Sequence, residues 1–358
     1  MTPTRRAVLK GALGITGASV LTACGGSGSG QAGGSGGKEQ LTMVTWGGTT
    51  DAGFKKAIAT PFTKATGIPV RMTSPVDYGK YMAQVKNRRI TWNWVDFEGW
   101  FEVQHKDLWM DLPSDTAGNA SDYIQLPGAM SPVQPWGVAS GSYSFAIAYR
   151  TDKGNRHPQS WAEFFDPTSL PGKRSIYNWP FGMVEVALLG DGVAYKDLYP
   201  LDVERALNKL ENVRSSLVFW NSGAELQQQL TAGTAPFAFA WNNRVAALGK
   251  SGQPVALEWA ENLQDGGYDV AAKADPLRNE TVKLIKFAAK PMNQRNRALA
   301  TGYSPPTKTA LASLPSSERH WYNVDDANLS AAVGSINLQW WADNFDATVK
   351  KWNEWASA

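Results

Sequence analysis

Apolar and polar positions along the chain change period repeatedly, and the changes outline alternating strands and helices. Gln40 to Trp46 alternates and runs into Gly47-Gly48, which predicts a strand closed by a turn. A helical pattern follows from Asp51 to Thr66, stopped by Gly67 and Pro69, and Ile68 to Met72 reads as a second strand. This β-α-β opening predicts an α/β fold with parallel pairing. The alternation recurs, with strands expected over 92–97, 143–149, 174–178, 218–220 and 236–241. Helices are expected from the third strand to His105, over 160–165 with Ser160 as cap, and over 201–210 with Val203, Leu207 and Leu210 on one face. Further helices are expected from Ser222 to Thr231 and over 279–289, 291–301 and 338–356, and no internal repeat is present.

The first residues follow another logic. Arg5 and Arg6 precede a mostly apolar run, Ala7 to Leu21, that ends in Leu21-Thr22-Ala23-Cys24. That run is too short to span a bilayer, which takes about 20 apolar residues. It has the form of an export signal over 1–23, and Cys24 stands where a bacterial lipoprotein is cut and lipidated. Thr4 to Lys10 is similar to a twin-arginine signal. From Gly25 to Gly37 the chain is nearly all Gly and Ser, a flexible tether with a reach of about 20 Å. Gly28 to Gly33 matches GxGxxG by spelling only, because neither strand nor helix flanks it. The expected protein is extracytoplasmic, periplasmic or on the cell surface, and anchored by a lipid on Cys24.

Composition narrows the classes. Without Arg5, Arg6 and Lys10 the formal charge of +3 falls to zero, which argues against a nucleic-acid partner. Cys24 is the one cysteine, so no disulfide forms within the chain. Sixteen tryptophans serve mostly as core, with a few free to line a pocket.

Several short segments, in order, resemble the extracellular solute-binding proteins of ABC importers, in particular the spermidine/putrescine-binding group. They are Val44 to Gly48, Phe62 to Val70, Asp107 to Leu112, Gln159 to Pro167, Ala300 to Pro306, Gln339 to Asn344 and Lys351 to Trp355. The tryptophan segment around Trp161 and the closing helix are the more specific matches. The resemblance implies a two-lobed type II periplasmic-binding-protein fold with ligand in the interlobe cleft. Lobe 1 would comprise 39–137 and 256–310, and lobe 2 would comprise 138–255 and 311–358. Crossovers would fall near Trp136 to Ser140 and near Val255 to Glu258. The implied partners are a permease, its ATPase and a small-molecule amine, with the receptor a monomer that needs no cofactor.

The resemblance also implies ligand-binding positions. Trp46, Trp241 and Tyr303 match cleft aromatics, with the core as the other reading for the two tryptophans. Relatives carry acids in the stretch that here reads Ile176 to Gly182 and holds Trp179 but no acid. Asp96 and Glu98 follow the third strand instead and share a face, where they either hold an ammonium or cap the next helix. Asp269, with Asp265 nearby, lies where relatives keep an acid, although a Gly-rich turn explains both equally well. Arg244 is a candidate for a ligand anion. The ligand is therefore read as a polyamine-like or other small cationic or zwitterionic amine. Thiamine, a carboxylate or phosphate compound and ferric iron remain as alternatives. An enzyme is not expected, since His105, His157 and His320 lack metal-ligand spacing and no nucleophile or phosphate-loop motif occurs. A surface scaffold is the remaining, weaker class.

Overall fold

The computed structural model describes residues 39–154 and 156–358. The readings made for the leader at 1–23, Cys24 and the tether fall outside the described residues.

The expected β-α-β opening builds a three-stranded parallel sheet of order β2-β1-β3. Its strands are β1 (Leu41–Val44), β2 (Val70–Thr73) and β3 (Trp94–Val95). All four β1 residues are buried, so this short strand reads as a core strand. The helix between β1 and β2 is continuous but contains a π-helical turn, Lys55–Ala59, between Thr49–Phe54 and Thr60–Thr66. It ends at Gly67, whose φ of 71° is the left-handed cap that the sequence marks.

The second sheet has seven strands. They are β4 (Val133–Gln134), β5 (Gly137–Arg150), β6 (Arg174–Tyr177), β7 (Leu217–Trp220), β8 (Phe237–Trp241), β9 (Val255–Val270) and β10 (Ala332–Ser335). The order is β10-β9-β5-β8-β6-β7, with β4 on β5. β5 and β9 are antiparallel along nearly their whole length, from Gly137 opposite Val270 to Arg150 opposite Val255. This long ribbon differs from expectation. β5 is twice the strand foreseen at 143–149, and Val255 to Glu258 is the start of a 16-residue strand. Asp265 and Asp269 therefore lie in a strand and not in a turn. Pairing with the apolar β5 overrides the weak strand propensity of the Glu, Asn, Asp and Gly in this segment.

Two more helices carry no readable stripe or lie close behind a strand. Met183–Gly190 buries seven of its eight residues, so no amphipathic period exists to find. Asn242–Lys250 starts directly after β8. The C-terminal helix, Leu338–Ser357, matches expectation and is capped by Asn337, which accepts from the Trp340 N–H at 2.9 Å. Its Phe345 stacks on Trp100 with ring centroids 3.7 Å apart, and Ala342 O accepts from Gln104 Nε2 at 2.7 Å. This helix ties the segment after β3 to the rest of the body. Eight of the sixteen tryptophans are buried core residues, among them Trp100, Trp161, Trp220, Trp341 and Trp352.

Candidate ligand-binding site

A cavity with an empty volume of about 690 Å³ opens between the end of the three-stranded sheet and the β5–β9 ribbon. Its walls come from four places in the chain.

The first wall follows β1. Gly47 and Gly48 have φ values of 79° and 63°, conformations that side chains resist, and they turn the chain so that Trp46 borders the cavity. Asp51 holds this turn by accepting from the Thr45 hydroxyl and, at 3.0 Å, from Ser74 Oγ.

The second wall follows β3. The Asp96 N–H donates to Val44 O at 2.9 Å, which places Asp96 beside the Trp46 turn. Asp96 and Glu98 both line the cavity. Glu98 occupies the N-cap position of helix Gly99–Gln104, but its side chain caps nothing. Its Oε2 instead accepts from Tyr78 Oη and Trp100 Nε1, each at 2.9 Å. Asp96 accepts from the Tyr303 hydroxyl at 3.3 Å.

The third wall is the ribbon. Tyr143 and Asp265 stand opposite one another in the β5–β9 register, so their side chains share the cavity face. Asp265 is 3% exposed, and neither carboxylate oxygen has a hydrogen-bond partner.

The fourth wall holds the cations. Trp241 ends β8, its ring edge-on to Tyr177 and Trp220 at 5.0 and 4.9 Å. Asn242 anchors the next turn, accepting from the Ser144 N–H at 2.8 Å and donating to Trp321 O at 2.9 Å. This anchor sets Asn243 and Arg244 against the cavity. Arg297 enters from helix Pro291–Thr301, with its guanidinium 5.9 Å from the Phe54 ring. The two arginines are 7% and 3% exposed, and neither joins an ion pair among the described residues.

Burial sets the electrostatics. It pushes the Asp265 carboxyl up to about 8; the nearby Tyr143 hydroxyl, though not in hydrogen-bond geometry, restrains the rise and the Glu98 charge adds to it. Burial pushes Asp96 up to about 7 against the opposing pull of Arg297 and the Tyr303 hydroxyl. Glu98 is raised by burial and held back by its bonds from Trp100 and Tyr78. Behind the wall, Asp269 and Glu102 are also raised by burial. A ligand cation on the carboxyl side favours loss of these protons and meets the resulting carboxylates, while the guanidinium side takes an anion.

Of the residues expected to bind, the structure gathers Trp46, Asp96, Glu98, Trp241 and Tyr303 at one cavity, with Arg244. Two stand elsewhere. Trp179 lies past the end of β6 and packs on Phe345 at 5.8 Å, while Tyr177 takes the wall position. Asp269 lies further along β9, off the cavity lining, and accepts from Trp94 Nε1 at 2.8 Å; the acid on the wall is Asp265. Sequence reasoning missed Arg297 and Asn243. A signal for Arg297 did exist. Gln294, Arg297 and Ala298 repeat at helical spacing and are the buried residues of their helix, so the arginine stands on an inward stripe. Among the described residues no group of three or more His, Cys, Asp or Glu is placed to hold a metal, and no helix is long and apolar enough to cross a membrane.

Comparison with known proteins agrees with this architecture. The family model for bacterial extracellular solute-binding proteins matches residues 57–322. The chain is 32% identical to the gamma-aminobutyric acid-binding protein of Pseudomonas aeruginosa over 330 residues, 89% of this chain and 91% of the other. A solved gamma-aminobutyric acid (GABA) receptor superposes with a TM-score of 0.80 at 33% identity, covering 88% of this chain and 97% of that one. The binding protein AgtB of A. tumefaciens R10, solved with agropinic acid, superposes with a TM-score of 0.77 at 27% identity, covering 89% and 99%. Its neighbours are two-lobed periplasmic binding proteins, and the chain belongs to the bacterial extracellular solute-binding proteins, the non-enzymatic receptors that deliver small ligands to ABC permeases and their ATPases.

Proposed function

We propose that this receptor binds a small zwitterionic amine, an ω-amino acid of the 4-aminobutyrate kind. One observation carries the reading: among the described residues, two buried arginines without ion pairs and a buried carboxyl without a hydrogen-bond partner line one cavity from different walls. A ligand carboxylate against Arg244 and Arg297 forms charge-assisted bonds, and its ammonium meets Asp265, Asp96 and the aromatic faces. A polyamine has no anion for the guanidiniums and is repelled by them, which is why the zwitterion is preferred to the polyamine of the initial resemblance. The relatives named for gamma-aminobutyric acid support this choice.

The anchored, two-lobed arrangement belongs to the same proposal. Leu21 to Cys24 supports export and lipidation at Cys24. The bodies 39–137 with 256–310 and 138–255 with 311–358 close on the ligand as a monomer, and the filled receptor hands it to the permease. A thermal-shift panel of 4-aminobutyrate, longer and shorter ω-amino acids, diamines, spermidine, thiamine and simple carboxylates tests the ligand class. A ligand at 100 times its Kd adds about 2.7 kcal/mol. Shifts confined to amino acids agree with the proposal; shifts confined to diamines or to thiamine overturn it.

A further inference from the structure

We infer that Arg244, besides meeting the ligand carboxylate, clasps Thr49 across the cleft and so couples that carboxylate to closure; this rests on the zwitterion reading. Arg244 lies in helix Asn242–Lys250, behind β8, whereas Thr49 begins the helix that follows β1 and its Trp46 turn. Arg244 Nη1 donates to Thr49 Oγ1 at 3.2 Å and so joins elements of the two sheets.

The path of the side chain is built for this reach. Gly223 opens helix Gly223–Ala232, and a Cβ there would sit 2.6 Å from Arg244 Nε and 3.0 Å from Cζ. Only glycine leaves the slot through which the arginine passes. In that slot Nε is buried without an acceptor. A guanidinium has five N–H donors, so one bond to Thr49 leaves three Nη hydrogens for an anion in the cavity that Arg244 borders. An anion held there fixes the planar group, and the opposite end of the same group fixes Thr49. A bound anion thereby strengthens a contact between the two bodies that only the closed form makes, which is the condition for driving closure.

The test uses 4-aminobutyrate on the full mature chain and on its Thr49→Val, Thr49→Ser and Gly223→Ala variants. Calorimetric Kd and the ligand-induced fall in radius of gyration by X-ray scattering are read together, with apo melting temperature as the folding control. Thr49→Val is expected to weaken binding about tenfold, as loss of a hydrogen bond to a charged group does, and to reduce the compaction. Thr49→Ser keeps the hydroxyl and restores both. Gly223→Ala displaces the guanidinium and repeats the Thr49→Val result. A Thr49→Val protein with wild-type Kd and compaction overturns the clasp while leaving the zwitterion reading intact. Failure of the wild-type chain to bind 4-aminobutyrate or any other ω-amino acid overturns both.

Discussion

Tyr143 and Asp265 face each other across β5 and β9, and their side chains share one wall of the cavity. The pairing places a buried carboxyl, without a hydrogen-bond partner, at the centre of a site whose other wall carries two arginines. Much of the chemistry of this receptor follows from that placement.

Asp265 makes stability depend on pH in a defined direction. Its folded-state value near 8 lies above the value near 4 of an unfolded chain, so the folded protein holds a proton that the unfolded one has shed. The stability linked to this proton is complete below about pH 4 and is lost as pH rises towards 8. Asp96, raised to about 7, adds to the same slope. The apo melting temperature is expected to fall between pH 5 and pH 8.5. Asp265→Asn flattens the fall and raises melting at pH 8.5 by about 3–8 °C. An unchanged slope in the variant contradicts the assignment.

Arg297 supplies the second cation. Arg297→Gln keeps polarity but removes the charge, and 4-aminobutyrate affinity is expected to drop about 100-fold or more, the scale for losing one partner of a buried charge pair. Calorimetry reads the loss. A drop below threefold removes Arg297 from the site.

Gly141 keeps Arg297 where it is. A Cβ at this position would sit 3.0 Å from Ser304 O and 3.2 Å from Arg297 Nη2. Gly141→Ala is expected to lower ligand affinity about tenfold and the melting temperature by a few degrees, since the strand and the guanidinium must both give way. Affinity equal to wild type shows that the guanidinium has room to shift.

The ring of Trp241, on the cavity wall, is predicted to face the ligand's ammonium. Trp241→Leu removes a ring face worth about 1–2 kcal/mol to a desolvated cation, so Kd rises roughly tenfold. Calorimetry reads the change, and an unchanged Kd removes Trp241 from the ammonium site.

Much of the fold was legible because its elements declare themselves. The turn at Gly47-Gly48, the caps at Ser160 and Ser222 and the tryptophan-rich last helix all carry local signals, and each stands where expected. The long strand β9 was illegible for a physical reason. Asn262, Gln264, Asp265, Gly266 and Gly267 lack strand propensity, and pairing with β5 and β10 makes them a strand. The choice between Asp265 and Asp269 depended on where each falls along that strand, since Asp265 stands at the cavity and Asp269 beside Trp94. Asp96 and Glu98 were readable from their two-residue spacing. Arg297 needed the recognition that a cation on the buried stripe of a helix requires a partner.

The central claim is that the cavity demands both a cation and an anion from one ligand. Titration calorimetry at pH 7.5 with 4-aminobutyrate and with putrescine, which shares its four-carbon chain but replaces the carboxylate with a second ammonium, tests it directly. Tight binding of the amino acid is expected, with binding of the diamine at least about 100-fold weaker. Equal or tighter binding of putrescine contradicts it.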